Sequence, residues 1–345
     1  MEYSRTSPSQ ELPENGSGEY TRFFDYPVPG RYGDPTAEYA ALKQGAAVVD
    51  FSYKEILRLT GKDPTGLLDA ILTNRVPKEE RLGVYAALLN QKGRIQTDLR
   101  VLKDGSGDLL LDTEPEGAAA AKEILGRYAP FSRVKVEDLS EEKPPWGILG
   151  FYGPRAGELL GGASLEEHET TEIEIGGVTV LAGGVTLPVS GYDLIGPSDK
   201  LRTVREQLVA RGAVPTGLEA FETTRIEAAV PRFGSDITPE NFPDKAGILE
   251  RAVSFTKGCY PGQETVARMH YRGHPNRKLH QLVIEGAPPQ PGAQILQSDK
   301  QVGTITSVAP LPVDGRTLAL GYLRRSADPD APLLVGESRI QLLTA

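Results

Sequence analysis

The only cysteine of this 345-residue chain, Cys259, lies in the segment KGCYPGQE at residues 257–264. Residues 260–263 (YPGQ) have the sequence of a type II turn, with proline second and glycine third. Lys257 could stabilise a thiolate, and a helix that begins near Gln263 would add a favourable dipole. The pattern favours an accessible, reactive cysteine. The alternative is a small buried side chain, which is the commoner environment of a lone cysteine.

Two carboxylates are further candidates for chemistry. Asp98 follows a turn at Gly93 in QKGRIQTDLRV, and strand alternation puts Asp98 and Arg100 on the same side. Glu227 lies in FETTRIEAAVPRFG, on a helix that should end before Pro231. The alternatives are an exposed strand aspartate and a glutamate in a surface ion pair.

The sequence predicts no metal site. His270 and His274 have helical ligand spacing, but Gly273 and Pro275 disfavour a helix there. An iron–sulfur cluster normally needs about four cysteines, so this chain does not hold one alone. There is no Walker A loop, and no dinucleotide-binding glycine fingerprint follows a strand.

Charge is distributed unevenly along the chain. The net charge of −9 argues against a protein that coats nucleic acid. One stretch, residues 251–278, has six basic residues and a single acidic one, Glu264. This stretch could bind a carboxylate, a phosphate or an RNA backbone, although a solvated surface is the alternative. The six basic residues are Arg251, Lys257, Arg268, Arg272, Arg277 and Lys278.

Composition predicts the character of the N-terminal segment and the cellular compartment of the protein. Residues 1–22 are rich in Ser, Pro, Glu and Gly and predict a disordered tail without a secretory signal. The apolar runs are far shorter than the roughly 20 residues of a membrane span. A single cysteine fits a reducing compartment, so we expect a cytoplasmic protein that does not contact membranes.

The candidates lie in a chain that predicts an α+β fold of two or three domains. Strands at 85–89 and 95–102 and a helix at 115–127 form one α+β unit, and a second unit of similar size follows. Short strands between Pro- and Gly-rich turns after residue 278 indicate a terminal barrel or sandwich.

Four segments carry a resemblance to known families. KGCYPGQE resembles the K-G-C-[FY]-x-G-Q-E signature of the folate-binding YgfZ proteins. AAVVDFSYKEILRLTGKD, LLNQKGRIQTDLRV and TTRIEAAVPRFGSDITPENFP resemble segments of their relatives, the glycine cleavage T-protein aminomethyltransferases. The likeness spans roughly residues 36–345.

This resemblance implies a three-domain ring around a channel that binds tetrahydrofolate. It implies a discontinuous first α+β domain, a second inserted into it, a cysteine-motif segment and a C-terminal β-barrel domain. The corresponding ranges are 23–52 with 144–245, then 53–143, 246–278 and 279–345.

The resemblance also implies roles for individual residues. Asp98 would lie at the reacting folate nitrogen, and Glu227 would bind the pterin. Tyr192 and Tyr260 would contribute to folate binding. Cys259 and Lys257 would act with Asp98 in catalysis, with the thiol facing the channel. Two further residues, Arg268 and Arg272, would meet the glutamate carboxylates of folate.

Departures from the aminomethyltransferase pattern decide the order of the functional hypotheses. Residues 193–195 (DLI) replace the T-G-E tail that follows the tyrosine in those enzymes, and Cys259 is an addition. The first hypothesis is therefore a tetrahydrofolate-binding accessory protein for iron–sulfur cluster assembly or repair. Its partners would be iron–sulfur client proteins or assembly factors, including those that modify transfer RNA. The alternatives are a folate-dependent aminomethyltransferase or methyltransferase, and an RNA-binding module.

Overall fold

The computed structural model describes residues 19–23, 26–273, 276–328 and 331–343. Residues 1–18 of the predicted tail, as well as His274 and Pro275, lie outside the described residues. The tail prediction is too long, since residues 19–22 pair with the next strand as a hairpin. The first elements are β1 (Glu19–Phe23), β2 (Tyr26–Arg31), α1 (Pro35–Gln44) and β3 (Ala47–Asp50).

A five-stranded antiparallel sheet follows, in the order β5-β6-β7-β4-β8. Asp63 caps α2, because its carboxylate accepts a 2.8 Å hydrogen bond from the Gly66 N–H. Helix α3 runs five residues beyond its predicted end at Arg127. The elements are β4 (Glu55–Gly61), α2 (Pro64–Ile71), β5 (Val84–Leu89), β6 (Ile95–Lys103), β7 (Leu109–Thr113), α3 (Pro115–Ser132) and β8 (Val134–Asp138).

A six-stranded sheet has the order β10-β11-β12-β9-β3-β13. Its strands β3 and β9 pair antiparallel although the whole five-stranded sheet lies between them in sequence. The sequence pattern does not predict β9, which is buried along most of its length and so lacks polar alternation. The elements are β9 (Trp146–Tyr152), α4 (Ala156–Leu159), β10 (Thr170–Ile175), β11 (Val178–Val185), β12 (Gly191–Pro197), α5 (Ser198–Ala210), β13 (Val214–Thr216) and α6 (Leu218–Glu227).

The C-terminal part is a closed six-stranded barrel in the order β14-β17-β16-β15-β18-β19. Two helices precede it, and the second begins at Gln263 as predicted. Among the described helices, none combines the length and the apolar character that crossing a membrane requires. The elements are α7 (Leu249–Ala252), α8 (Gln263–Arg272), β14 (Arg277–Glu285), β15 (Gln294–Gln297), β16 (Lys300–Val308), β17 (Thr317–Arg324), β18 (Leu333–Val335) and β19 (Ser338–Leu342).

Candidate functional site

A cavity of about 330 Å³ opens between the two sheets and the segment 221–251. Both sheets contribute charged side chains to its wall, and aromatic and aliphatic side chains cover much of the rest. Such a mixture suits an organic ligand with a flat ring and a few polar groups. The lining includes Phe51, Lys54, Tyr85, Asp98, Arg100, Asp112, Glu114, Tyr152, Glu167, His168, Val185, Asp193, Phe221, Arg225, Arg232 and Arg251.

Asp98 reaches the cavity because it lies on the same face of β6 as Arg100, which also lines the cavity. The Tyr85 hydroxyl donates a 2.5 Å hydrogen bond to Oδ2 of Asp98. Burial raises the pKa of Asp98 to about 6, and the nearby charge of Glu114 adds to the shift, while the Tyr85 hydrogen bond opposes it. The carboxyl can therefore exchange a proton close to neutral pH.

An ionic network in the cavity wall joins the two sheets. The Arg100 guanidinium, on β6, donates to Asp112 on β7 and lies 2.6 Å from Oδ2 of Asp193 on β12. Tyr152, on β9, donates its hydroxyl proton to Asp193. Arg100 holds the pKa of Asp112 below its usual range, against the effect of burial. These buried charges compensate one another and connect β6 and β7 of one sheet with β9 and β12 of the other.

A histidine and an arginine occupy another part of the wall. His168 is largely buried, and burial together with the positive charge of Arg100 lowers its pKa to about 4. Its imidazole is therefore neutral at pH 7. Arg251 forms a 2.7 Å ion pair with Glu167 and lies over the Tyr85 ring.

Glu114 is the last residue before α3 and is only 8% exposed. Its Oε1 atom lies 3.5 Å from Lys54 Nζ and 3.7 Å from Arg232 Nε. Its Oε2 atom accepts no hydrogen bond from any described residue. Glu114 thus presents a buried, incompletely satisfied acceptor at the cavity wall.

The structure places two of the predicted folate-binding residues away from this cavity. The Glu227 carboxylate, at the end of α6, accepts a 2.8 Å hydrogen bond from the Tyr39 hydroxyl and pairs with Lys43 Nζ at 2.9 Å. The Tyr192 hydroxyl donates to the Ala163 carbonyl in the core on the other side of the six-stranded sheet. Neither residue lines the cavity.

The cysteine segment also lies outside the cavity lining. Its type II turn forms as predicted, with Gly262 at φ 81° and the Gln263 N–H 3.3 Å from the Tyr260 carbonyl. A Cβ atom on Gly262 would lie 2.5 Å from the Asn90 carbonyl, so this turn packs tightly against the Gly93 turn. Cys259 itself is exposed and is not among the residues that line the cavity.

The other predicted residues near Cys259 have structural contacts or exposed positions. Lys257 is buried, and its Nζ donates to the carbonyls of Asp69 at 2.7 Å and Leu72 at 2.6 Å, at the end of α2. Burial lowers the pKa of Lys257 to about 8. Tyr260 is buried, and burial raises its pKa to about 12. The remaining two, Arg268 and Arg272, lie on exposed positions of α8.

Several residues that line the cavity are not among the functional candidates that the sequence suggests. Arg100 had a usable signal, because it alternates with Asp98 on one strand. Asp193 also had a usable signal, because neighbouring residues of a strand point to opposite faces of the sheet and Asp193 therefore faces away from the side that Tyr192 faces. Tyr85 and Glu114 had none, because their positions depend on how strands pair and how α3 begins. No cluster of three or more His, Cys, Asp or Glu that could hold a metal occurs among the residues that the structure describes.

Comparisons with known proteins agree with this architecture. The GCVT N-terminal domain family matches residues 13–257, and the glycine cleavage T-protein C-terminal barrel domain matches residues 277–337. An aminomethyltransferase of Moorella thermoacetica is 28% identical, with 86% of this chain and 83% of the relative covered. An aminomethyltransferase of Saccharopolyspora erythraea is 25% identical, with 97% and 94% covered.

A solved structure supports the same fold. The glycine cleavage system aminomethyltransferase T of Bartonella henselae superposes with a TM-score of 0.85 at 21% identity, covering 98% of this chain and 96% of that one. Together with the closed terminal barrel, these matches confirm the predicted aminomethyltransferase-like fold class. The chain belongs to the GCVT N-terminal domain family and carries the C-terminal barrel domain of the glycine cleavage T-proteins.

Proposed function

We propose that this protein transfers a one-carbon unit to or from tetrahydrofolate, as an aminomethyltransferase or a related methyltransferase. The observation that carries the proposal is Asp98, a buried carboxyl in the cavity wall with a pKa of about 6 and a hydrogen bond from Tyr85. The aminomethyltransferase names of the relatives support the same chemistry.

The residues of the cavity suit a reduced folate. Phe51, Tyr152 and Phe221 form one aromatic cluster beside the cavity, with ring centroids of Phe51 and Phe221 4.7 Å apart. These rings offer flat apolar surface to a pterin. The incompletely satisfied Glu114 offers an acceptor to its N–H groups. Arg251, about one-third exposed, offers a cation to an acidic tail.

Asp98 would act as the proton acceptor for the reacting ring nitrogen. As the new C–N bond forms and the bond from the carbon to its donor breaks, the nitrogen must lose its proton. A carboxylate whose pKa lies near 6 is ionised at pH 7 and can accept that proton. The Tyr85 hydrogen bond keeps the carboxylate in one orientation. In the reverse direction the same carboxyl returns the proton.

An assay of methylenetetrahydrofolate formation from a one-carbon donor tests this proposal. We expect turnover by the wild type, and a loss of about 100-fold or more in kcat with Asp98→Asn, because general acid–base catalysis contributes factors of this size. Cys259→Ser should leave turnover unchanged, since the thiol is exposed and outside the cavity lining. Absence of turnover with every one-carbon donor would contradict the proposal.

A second candidate function is the accessory role in iron–sulfur cluster assembly or repair. It is supported by the KGCYPGQE segment and by the exposure of Cys259, which leaves the thiol accessible to a partner protein. We expect such a protein to act in the cytoplasm. In cells that lack the protein, Cys259→Ser should then fail to restore iron–sulfur enzyme activity while it still binds tetrahydrofolate. Full restoration by that variant would remove the role of the thiol.

A further inference from the structure

The Glu114 carboxylate does not cap the helix that follows it. It stands at the residue that precedes helix α3, with φ −67° and ψ 150°, where a side chain often caps the free N–H groups of the first turn. The Glu114 side chain makes no such hydrogen bond. It lies in the cavity wall instead, as Asp98 does.

The two oxygens of Glu114 have different surroundings. Oε1 is flanked by the cations of Lys54 and Arg232, at 3.5 and 3.7 Å. Oε2 is buried and has no donor among the described residues. Since a buried carboxylate oxygen without a hydrogen bond is costly, a donor from a bound molecule would complete the site.

The other carboxylates around the cavity already have donors. Asp98 accepts from Tyr85, while Asp112 and Asp193 both interact with Arg100. Glu167 is paired with Arg251. Glu114 is the cavity-lining carboxylate to which the described residues leave a buried oxygen without a donor.

Glu227, the carboxylate that the resemblance assigns to the pterin, is engaged elsewhere. Its two oxygens are held by the Tyr39 hydroxyl and by Lys43 Nζ, both on α1. Those contacts turn the carboxylate toward α1, so it is not part of the cavity wall.

We propose that Glu114, rather than Glu227, recognises the aminopyrimidine edge of the bound pterin by accepting a hydrogen bond from its exocyclic amino group. This inference rests on the proposed function. It makes Glu114 a specificity-determining residue, because a heterocycle without that N–H donor would leave Oε2 unsatisfied.

Anaerobic calorimetric titration with two probes tests the inference. The probes are tetrahydrofolate and its analogue that lacks the 2-amino group. The wild type should bind tetrahydrofolate about 10-fold or more tightly than the analogue. Glu114→Gln should lose most of that preference through weaker binding of tetrahydrofolate, while its affinity for the analogue stays within about twofold. Glu227→Gln, the matched control, should keep the preference.

The other outcomes of the titration distinguish failure of the inference from failure of the proposed function. A Glu114→Gln protein that keeps the full preference would overturn the inference and leave the proposed function intact, as would loss of the preference in Glu227→Gln. A wild type that binds neither probe would overturn both. If Glu114→Gln fails to fold, Glu114→Asp retains the charge beside Lys54 and Arg232 and retracts the oxygen. That variant should lose part of the preference, and an unchanged preference would again overturn the inference.

Discussion

The Tyr85 hydroxyl lies 2.5 Å from Oδ2 of Asp98, and both side chains belong to the cavity wall. Tyr85 is on β5, two residues before Ala87, which is the cross-strand partner of Asp98 on β6. The pair is therefore a diagonal contact between neighbouring strands, within the reach of an aromatic side chain. It holds a carboxyl whose charge is costly to bury, and it orients that carboxyl toward the ligand space.

This arrangement predicts that two substitutions move the pKa of Asp98 in opposite directions. Tyr85→Phe removes a hydrogen bond to the carboxylate and should raise the pKa above about 6. Glu114→Gln removes a neighbouring negative charge and should lower it. Titration of the Asp98 carboxyl by ¹³C NMR, with Asp98→Asn to assign the signal, measures both shifts. Shifts of the same sign would contradict this description of the site.

The raised pKa of Asp98 also affects stability. The pKa is about 6 in the folded protein and about 3.9 in an unfolded chain, so folding takes up a proton between these values. The contribution of Asp98 to stability is therefore fully present below about pH 4, and it is lost as the pH rises through about 6. Asp98→Asn should flatten this part of the pH profile and raise the free energy of unfolding at pH 7 by roughly 3 kcal/mol.

Urea unfolding of the wild type and of Asp98→Asn from pH 4 to pH 8 tests whether the substitution raises or lowers the free energy of unfolding. The gain from Asp98→Asn should be present at pH 7 and shrink toward pH 4. An Asp98→Asn protein that is less stable than the wild type at pH 7 would show that the ionised carboxylate stabilises the fold, which is the opposite of the expected effect.

Lys257 should matter for folding more than Cys259 does. Lys257→Ala would leave two carbonyls at the end of α2 without their donor, at a cost of about 2 kcal/mol. Cys259→Ser, two residues away and exposed, should change the free energy of unfolding by less than about 0.5 kcal/mol. Denaturant unfolding compares the two variants. Equal stabilities would contradict the anchoring role of Lys257.

Ala229 carries local backbone strain that glycine should relieve. Its φ is 53°, in the left-handed region that glycine adopts without the steric penalty of a Cβ atom. Ala229→Gly should therefore stabilise the protein by roughly 0.5–1 kcal/mol. Ala228→Gly, at the end of α6 with φ −82°, is the matched control and should destabilise it. A thermal melt that ranks Ala228→Gly above Ala229→Gly would refute this reasoning.

The fold could largely be predicted because local patterns and tertiary packing agree. The turn at residues 260–263, the cap at Asp63 and the start of α8 all follow from local residue chemistry. Strand β9 could not be recognised by its pattern because a strand buried on both faces has no polar alternation. Its pairing with β3 across a long insertion depends on contacts that no local pattern encodes.

The candidate site could be predicted only in part. Alternation along β6 identifies the side of the strand that carries Asp98, and the same rule explains why Asp193 lines the cavity while Tyr192 does not. The resemblance assigns Glu227 to the pterin, but the rotation of α6 directs its carboxylate to α1. Glu114 gives no local signal, since tertiary packing alone places Lys54 and Arg232 beside its Oε1 atom and leaves Oε2 without a donor among the described residues.

We propose that the cavity beside Asp98 binds tetrahydrofolate, and calorimetric titration with tetrahydrofolate tests this proposal. We predict that the wild type and Cys259→Ser each bind one equivalent. We predict no detectable binding to Val185→Trp, whose indole would fill part of the cavity in a protein that still melts cooperatively. A wild type that does not bind tetrahydrofolate, or a Val185→Trp protein that binds it equally well, would contradict the claim.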